Sequence, residues 1–316
     1  MRAAIGVTGG KGGTGKSMVA VNVATLISRE ADLVLADLDA EGANDHILLG
    51  ASLENEEPVK IMLPFIRYKD CIKCSACANV CDTGAIMMTR EKLPMILPRL
   101  CDGCRSCLFV CPTNAILEGQ RIVGYTYQTR VPARGGGSGS GDEDRGEGEA
   151  TFTLVTGVLR EGEEHTPPVV IAAKRRAANL AKDLLMVDTG AGTANHVAIA
   201  LSGSRLAMAV TEPTPLGLHD LELILRVLEE LGVEAWVIVN RWGIGSSDAI
   251  AGRIDEVASS HRATVKARIP YSRDVVDAYV KGVPIVSAMP DHEVTRIFSS
   301  LVRELLEVVR GRPEAM

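Results

Sequence analysis

The stretch that constrains this chain most is Gly9-Gly10-Lys11-Gly12-Gly13-Thr14-Gly15-Lys16-Ser17. A short apolar run, Ala3-Ala4-Ile5-Gly6-Val7, precedes it, and Met18 to Ile27 follows as the body of a helix. Gly10, Gly15, Lys16 and Ser17 satisfy G-x-x-x-x-G-K-[ST] in the strand–loop–helix setting the motif requires. Gly10, Gly12, Gly13, Thr14 and Gly15 form a loop whose backbone N–H groups can turn inward around phosphate oxygens, because glycine has no Cβ to clash. The helix N-terminus adds its partial positive charge. In such a loop Lys16 serves the outer phosphates and Ser17 ligands Mg²⁺.

Two later strand ends carry carboxylates. Leu33-Val34-Leu35-Ala36 leads into Asp37-Leu38-Asp39, and Leu184-Leu185-Met186-Val187 leads into Asp188, then Thr189-Gly190-Ala191-Gly192. In an open α/β sheet the carboxyl ends of the strands line the ligand crevice. Asp39 is placed to orient an attacking water, and Asp37 to bond water on Mg²⁺. Asp188 reads as a Walker B–like ligand to Mg²⁺ through water, with Gly192 letting backbone approach the last phosphate. Aromatics make up 3% of the chain, the net charge is −6 and no Lys/Arg block stands out, which argues against a nucleic-acid surface. No apolar run reaches the roughly eighteen residues of a membrane span and no N-terminal signal pattern is visible, so no membrane insertion and a cytoplasmic location are expected.

Lys11, with the Asp37-Leu38-Asp39 strand end, resembles the deviant Walker A family that includes MinD, ParA, the nitrogenase iron protein and the Mrp-type iron–sulfur carriers. The resemblance implies ATP as the nucleotide and an ATP-dependent homodimer, or a heterodimer with a paralogue. It makes Lys11 the signature lysine that reaches the partner's phosphates. It also implies that Asn240, after the strand Ala235 to Val239, reads the adenine edge, and that Pro270 lines the base pocket. Where many relatives have proline after the second aspartate, this chain has Ala40.

All eight cysteines lie between Cys71 and Cys111. Cys71, Cys74, Cys77 and Cys81 form C-x₂-C-x₂-C-x₃-C, and Cys101, Cys104, Cys107 and Cys111 repeat it thirty residues on. This is the bacterial ferredoxin run, whose fourth cysteine serves the other cluster. Cys71, Cys74, Cys77 and Cys111 are therefore expected to hold one [4Fe–4S] cluster, and Cys101, Cys104, Cys107 and Cys81 a second. Asp82 stands where proline usually follows the fourth cysteine. Structural zinc is the competing reading, but zinc sites use separated C-x₂-C pairs, not so compressed a run. The pieces Ala85 to Met88, Pro94 to Leu97 and Ala115 to Leu117 are assigned to a small sheet and its cover, and Ile122 to Val131 to a strand returning to the host.

The expected fold is an α/β P-loop NTPase with a mostly parallel sheet and helices on both faces, plus an inserted small α+β ferredoxin-like domain. The host occupies 1–60 and 121–316, the insert 61–120, and a flexible Gly/Ser/acidic loop 134–150. The final helix, about His292 to Arg310, carries Ile297, Leu301, Leu305 and Val308 on one face and is expected to pack on the sheet. The whole resembles MinD-superfamily ATPases with an inserted ferredoxin domain. That resemblance implies an ATPase, weak until a partner engages, that couples nucleotide-driven dimerisation to electron transfer with a redox or iron–sulfur partner. An iron–sulfur scaffold or carrier and a redox-gated regulatory switch are the alternatives. The carrier lacks host-domain cysteines for a bridging cluster.

Overall fold

The computed structural model describes residues 3–132, 151–244 and 247–311; the 134–150 loop lies outside them. The first elements are β1 (Ala3–Thr8), α1 (Lys16–Ile27), β2 (Leu33–Leu38) and α2 (Asp45–Leu48). Next come β3 (Glu57–Ile66), α3 (Ala76–Asn79), β4 (Ile86–Met88), β5 (Pro94–Ile96), α4 (Ser106–Phe109) and β6 (Ile116–Pro132). They are followed by β7 (Thr151–Leu159), α5 (Thr166–Leu180), β8 (Leu184–Thr189), α6 (Asn195–Leu201), β9 (Leu206–Thr211) and α7 (Pro215–Glu230). The chain continues through β10 (Glu234–Trp242), α8 (Ser247–Ser260), β11 (Thr264–Pro270), α9 (Arg273–Val280), α10 (Ile285–Ala288) and α11 (Glu293–Gly311). No helix among the described residues is long and apolar enough to cross a membrane.

The chain divides into two compact units. The first comprises Met1–Glu56, Thr126–Val158 and Val170–Met316. Its strands run in the order β11-β10-β9-β1-β8-β2-β7-β6. Pairings from β11 through β7 are parallel, with Ile5 opposite Met186 on one side and Leu206 on the other. Strands covered on both faces read as continuous apolar runs, as Leu33–Leu38, Leu184–Thr189 and Leu206–Thr211 do, every residue of each being buried. Alternate residues serve opposite cores. Leu206, Met208, Trp236 and Ile238 join α1 and α11 on one face. Ala207, Ala209, Ala235, Val237 and Val239 join α7 and α8 on the other. On α11 the buried apolar positions are Val294, Phe298, Leu301, Val302, Leu305 and Leu306, with Ile297 and Val308 half-buried beside them, so the helix packs on the sheet as its sequence pattern predicts.

The second unit comprises Glu57–Tyr125 and Leu159–Val169. It repeats itself at the thirty-residue interval of the cysteines. A 3₁₀ turn at Tyr68–Asp70 leads to α3, and one at Pro98–Leu100 leads to α4. The residue before each short helix is left-handed, Ser75 at φ 63° and Arg105 at φ 67°. β4 and β5 pair antiparallel, Ile86 opposite Ile96. Met62, Ile66, Cys77, Ile86, Cys107 and Ile116 form the core.

One expectation needs correction here. Ala115 to Leu117 does not join the small sheet, which has only β4 and β5 among the described residues; Ile116 instead opens the seventeen-residue β6, already a strand well before Ile122. Glu57–Ile66 forms β3, which lies beside β6 at the end of the strand order. Pro58 and Pro64 obscure it in the sequence, and an edge strand is where proline is tolerated.

Candidate functional site

The loop after β1 sits at the carboxyl edge of the sheet, where β1 is flanked by β8 and β9. Its glycines are required by geometry. Gly13 and Gly15 have φ +80° and +95°, and a Cβ on Gly10 would lie 2.2 Å from the Asp220 carbonyl oxygen. Lys16 opens α1 nearly buried, and its Nζ donates to the Lys11 carbonyl at 3.2 Å. That folds the lysine back over the loop it would share with phosphate. Asn240, at the end of β10, donates through Nδ2 to the Thr14 carbonyl at 2.8 Å, bracing the loop from the side. The Gly192 N–H donates to the Gly9 carbonyl at 3.2 Å, which ties the segment after β8 to the loop.

A cavity of about 430 Å³ opens here, within the range of small-ligand sites. Gly12, Gly13, Gly15, Lys16, Ser17, Asp39, Asn240 and Pro270 line it, so it gathers residues from four separate stretches of sequence. Lys11, exposed, is not part of its lining, and neither are Gly10 and Thr14, which support the loop from behind. Tyr271 and, from α9, Val276 and Tyr279 complete the apolar end. The α9 residues were not legible as site residues, because their spacing is that of any amphipathic helix.

Beneath the loop lies a set of buried carboxylates. Asp37 accepts the N–H groups of Asp39 (3.2 Å), Asn44 (3.0 Å) and Asp45 (3.1 Å). Burial pushes Asp37 up to about 8, with the Asp188 charge adding, against the pull of those N–H groups. Burial likewise pushes Asp188 up to about 7, opposed by Ser17 and Lys16 beside it. Asp39 is raised by burial too, with Lys16 pulling the other way. Asp45 is the member the sequence did not flag. It is fully buried, held well above the carboxylate range by burial and by Asp37 and Asp188, and neither of its oxygens has a hydrogen-bond partner among the described residues. Burial without hydrogen bonds disfavours charge, and a cation or water placed here would reverse the balance. Asp45 opens α2, and at the sequence level an aspartate there reads as an ordinary helix start.

In the second unit the cysteines gather across the repeat. Cys71, Cys74, Cys77 and Cys111 line one cavity, together with Ser75, Ile66 and Ile116. Burial raises the Cys77 thiol, with Cys71 and Cys74 adding. Burial pushes Cys107 up to about 11, with Cys101 and Cys104 adding. Cys101 is raised by burial, and Cys81 and Cys104 act on it in the same sense. Cys81 thus neighbours the second run and Cys111 the first. Burial alone would raise Cys111, but N–H groups led by Ala115, 3.2 Å from the sulfur, bring it below the usual thiol value. Among the described residues no group of three or more His, Cys, Asp or Glu is arranged to hold a single metal ion.

A glycine cradle at the switch point of a parallel sheet, with acidic strand ends below it, defines a P-loop nucleotide-binding protein of the α/β class. Residues 5–285 match the family described as the CobQ/CobB/MinD/ParA nucleotide binding domain, and the chain belongs to that family. It is 30% identical to an uncharacterized protein of Methanocaldococcus jannaschii, over 88% of this chain and 89% of that one. An iron-sulfur cluster carrier protein of Aquifex aeolicus is 26% identical over 41% of this chain and 38% of its own. Among solved structures, the septum site-determining protein MinD complexed with Mg-ADP, from Pyrococcus horikoshii, superposes with a TM-score of 0.59 at 17% identity, covering 100% of both chains.

Proposed function

We propose that this chain is an ATPase switch that carries two [4Fe–4S] clusters and couples ATP-dependent dimerisation to electron transfer with a redox partner. The observation that carries the reading is the crossed gathering of the cysteines. Cys71, Cys74, Cys77 and Cys111 surround one cavity, and Cys81 neighbours Cys101 and, with it, Cys104 and Cys107. Zinc draws four ligands to about 2.3 Å from one ion. A four-iron cube takes one thiolate at each of four separated corners, which suits four cysteines that line one cavity. The clusters, when bound, supply one-electron chemistry. The second unit, Glu57–Tyr125 with Leu159–Val169, is read as the inserted ferredoxin-like domain.

In the first unit Lys16 and the loop N–H groups would hold the phosphates of ATP, and Ser17, with Asp37 and Asp188, would hold Mg²⁺. Asp39, at the rim of the cavity, orients the attacking water. Lys11, exposed on the loop, reaches the partner protomer's nucleotide. Asn240 braces the Thr14 carbonyl while lining the base pocket with Pro270. Mg²⁺, when bound there, would supply the charge that offsets the phosphates.

The partial likeness to an iron–sulfur cluster carrier favours a second reading, transfer of a cluster to an acceptor. Anaerobic reconstitution separates the two. The first reading expects about eight irons and eight sulfides per chain, retained under challenge with an apo-acceptor, and a reduction rate that responds to ATP. Clusters that leave for the acceptor support the carrier. Equal reduction rates with and without ATP sink the coupled switch.

A further inference from the structure

The two cysteine centres repeat in sequence but differ in their charged surroundings. Arg121, on β6, donates through Nη2 to the carbonyl of Cys101 at 3.3 Å. It is the cation among the groups acting on the Cys101 thiol, and it pulls that thiol down against burial. Its other side is held by Glu163, to which both Nη1 and Nη2 donate, and by the ring of His165, whose Nδ1 lies 3.2 Å from Nη2. His165 in turn bridges Glu163, at 2.8 Å, and Asp102. The Arg121 and Glu163 side chains are 13% and 8% exposed, so this charge is little screened.

At the other centre, among the described residues, no cation donates to a cysteine carbonyl; the nearby Arg67 donates to the Asn114 carbonyl at 3.2 Å and pairs with Asp70 at 3.0 Å, with its side chain 40% exposed. One residue before Cys71, the counterpart of Cys101, the carbonyl of Asp70 accepts from the neutral Thr113 hydroxyl at 2.8 Å. Cys111 receives the Ala115 N–H at 3.2 Å, a dipole and not a formal charge. The cations inside the two cysteine loops, Lys73 and Arg105, are exposed to solvent. Lys73 reaches the Glu91 carbonyl, and Arg105 is paired with Glu118. Their fields are screened and partly cancelled.

Resting on the two-cluster reading, we propose that Arg121 sets the two centres apart in potential, making the one held by Cys81, Cys101, Cys104 and Cys107 easier to reduce and so the place where the electron rests. Reduction adds one negative charge to a [4Fe–4S]²⁺ centre and gives [4Fe–4S]⁺. The electron comes from a low-potential one-electron donor, and no bond forms or breaks. A nearby buried cation stabilises the reduced form, and charge and hydrogen bonding around the sulfurs are established levers on such potentials. Glu163, paired with Arg121, and Asp102, held by His165, counter part of that field.

The test is an anaerobic dithionite titration of the reconstituted full chain, followed by electron paramagnetic resonance. The wild type shows two midpoints. Arg121→Met lowers the upper one and leaves the lower in place, and Arg121→Lys restores most of the shift. Glu163→Gln, which keeps a hydrogen-bond acceptor but removes the opposing charge, moves the upper midpoint further up. Cys111→Ser, which disturbs the first centre alone, perturbs the midpoint that Arg121→Met does not. The proposal falls if Arg121→Met moves neither midpoint or both equally. Iron and sulfide counts on each variant separate an unloaded protein from an untuned one. Should Arg121→Met fail to load, the upward shift in Glu163→Gln decides. A wild-type chain that takes up no cluster overturns both this inference and the reading beneath it.

Discussion

A Cβ on Gly15 would lie 2.2 Å from the Nδ2 of Asn240, on a backbone at φ +95°. Alanine there is strained twice, once by the left-handed backbone and once by the amide that braces Thr14. Strain of this kind is of the order of 1–3 kcal/mol. Gly15→Ala is expected to weaken ATP binding by at least about ten-fold, measured by calorimetry, while the chain still folds. The buried carboxylates make a second residue-scale prediction. Asp37 and Asp188 are pushed up to about 8 and about 7, far above an unfolded aspartate. The folded apo-protein thus binds protons that the unfolded chain has released, so its stability is full below about pH 4 with respect to these groups and declines toward pH 8. Thermal melts without nucleotide should fall over that window. Asp188→Asn should flatten the decline by up to a few kcal/mol and at the same time abolish stabilisation by Mg²⁺-nucleotide. A melt that stays level from pH 5 to pH 8 in the wild type would contradict the assignment.

The elements were legible in proportion to how local their signals are. The loop, α1 and the aspartate-ended strands β2 and β8 follow from spacing alone, because each rule acts within a few residues. β3 was hidden by Pro58 and Pro64, whose tolerance depends on an edge position that no local pattern announces. The length of β6 was hidden by Gly119, which reads as a break; a Cβ there would meet the Leu63 carbonyl at 2.8 Å, so that glycine marks close strand approach. Asp45 was missed because its role comes from convergence with Asp37 and Asp188 across 143 residues, from Asp45 to Asp188. The terminal helix shows the opposite case, since its apolar stripe declared itself. Phe298 is fully buried in the core shared by α1 and the sheet. Phe298→Ala should cost about 3–5 kcal/mol in guanidinium unfolding, the sum of lost transfer energy and the cavity left behind. Val308→Ala, at a half-buried edge of the same stripe, should cost less.

At the scale of the whole molecule, the chain confines its cysteines to one unit and its phosphate loop to the other. On the proposed reading, any influence of nucleotide on the cysteine centres starts from a change of state in the first unit, and the proposed dimerisation is such a change. Lys11 is the residue on which that idea turns. Its side chain is exposed, while its carbonyl is already engaged by Lys16 and Thr14. Removing the side chain should leave the loop intact. Lys11→Ala is expected to bind a non-hydrolysable ATP analogue almost as the wild type does, yet stay monomeric by light scattering where the wild type becomes a dimer. Lys16→Ala should lose nucleotide affinity itself, since a charged hydrogen bond to phosphate is worth about 1.5–3 kcal/mol. The two lysines, five residues apart, are thus separable by experiment. If Lys11→Ala dimerises at the wild-type analogue concentration, the lysine does not bridge protomers, and coupling to the clusters must be sought within a single chain.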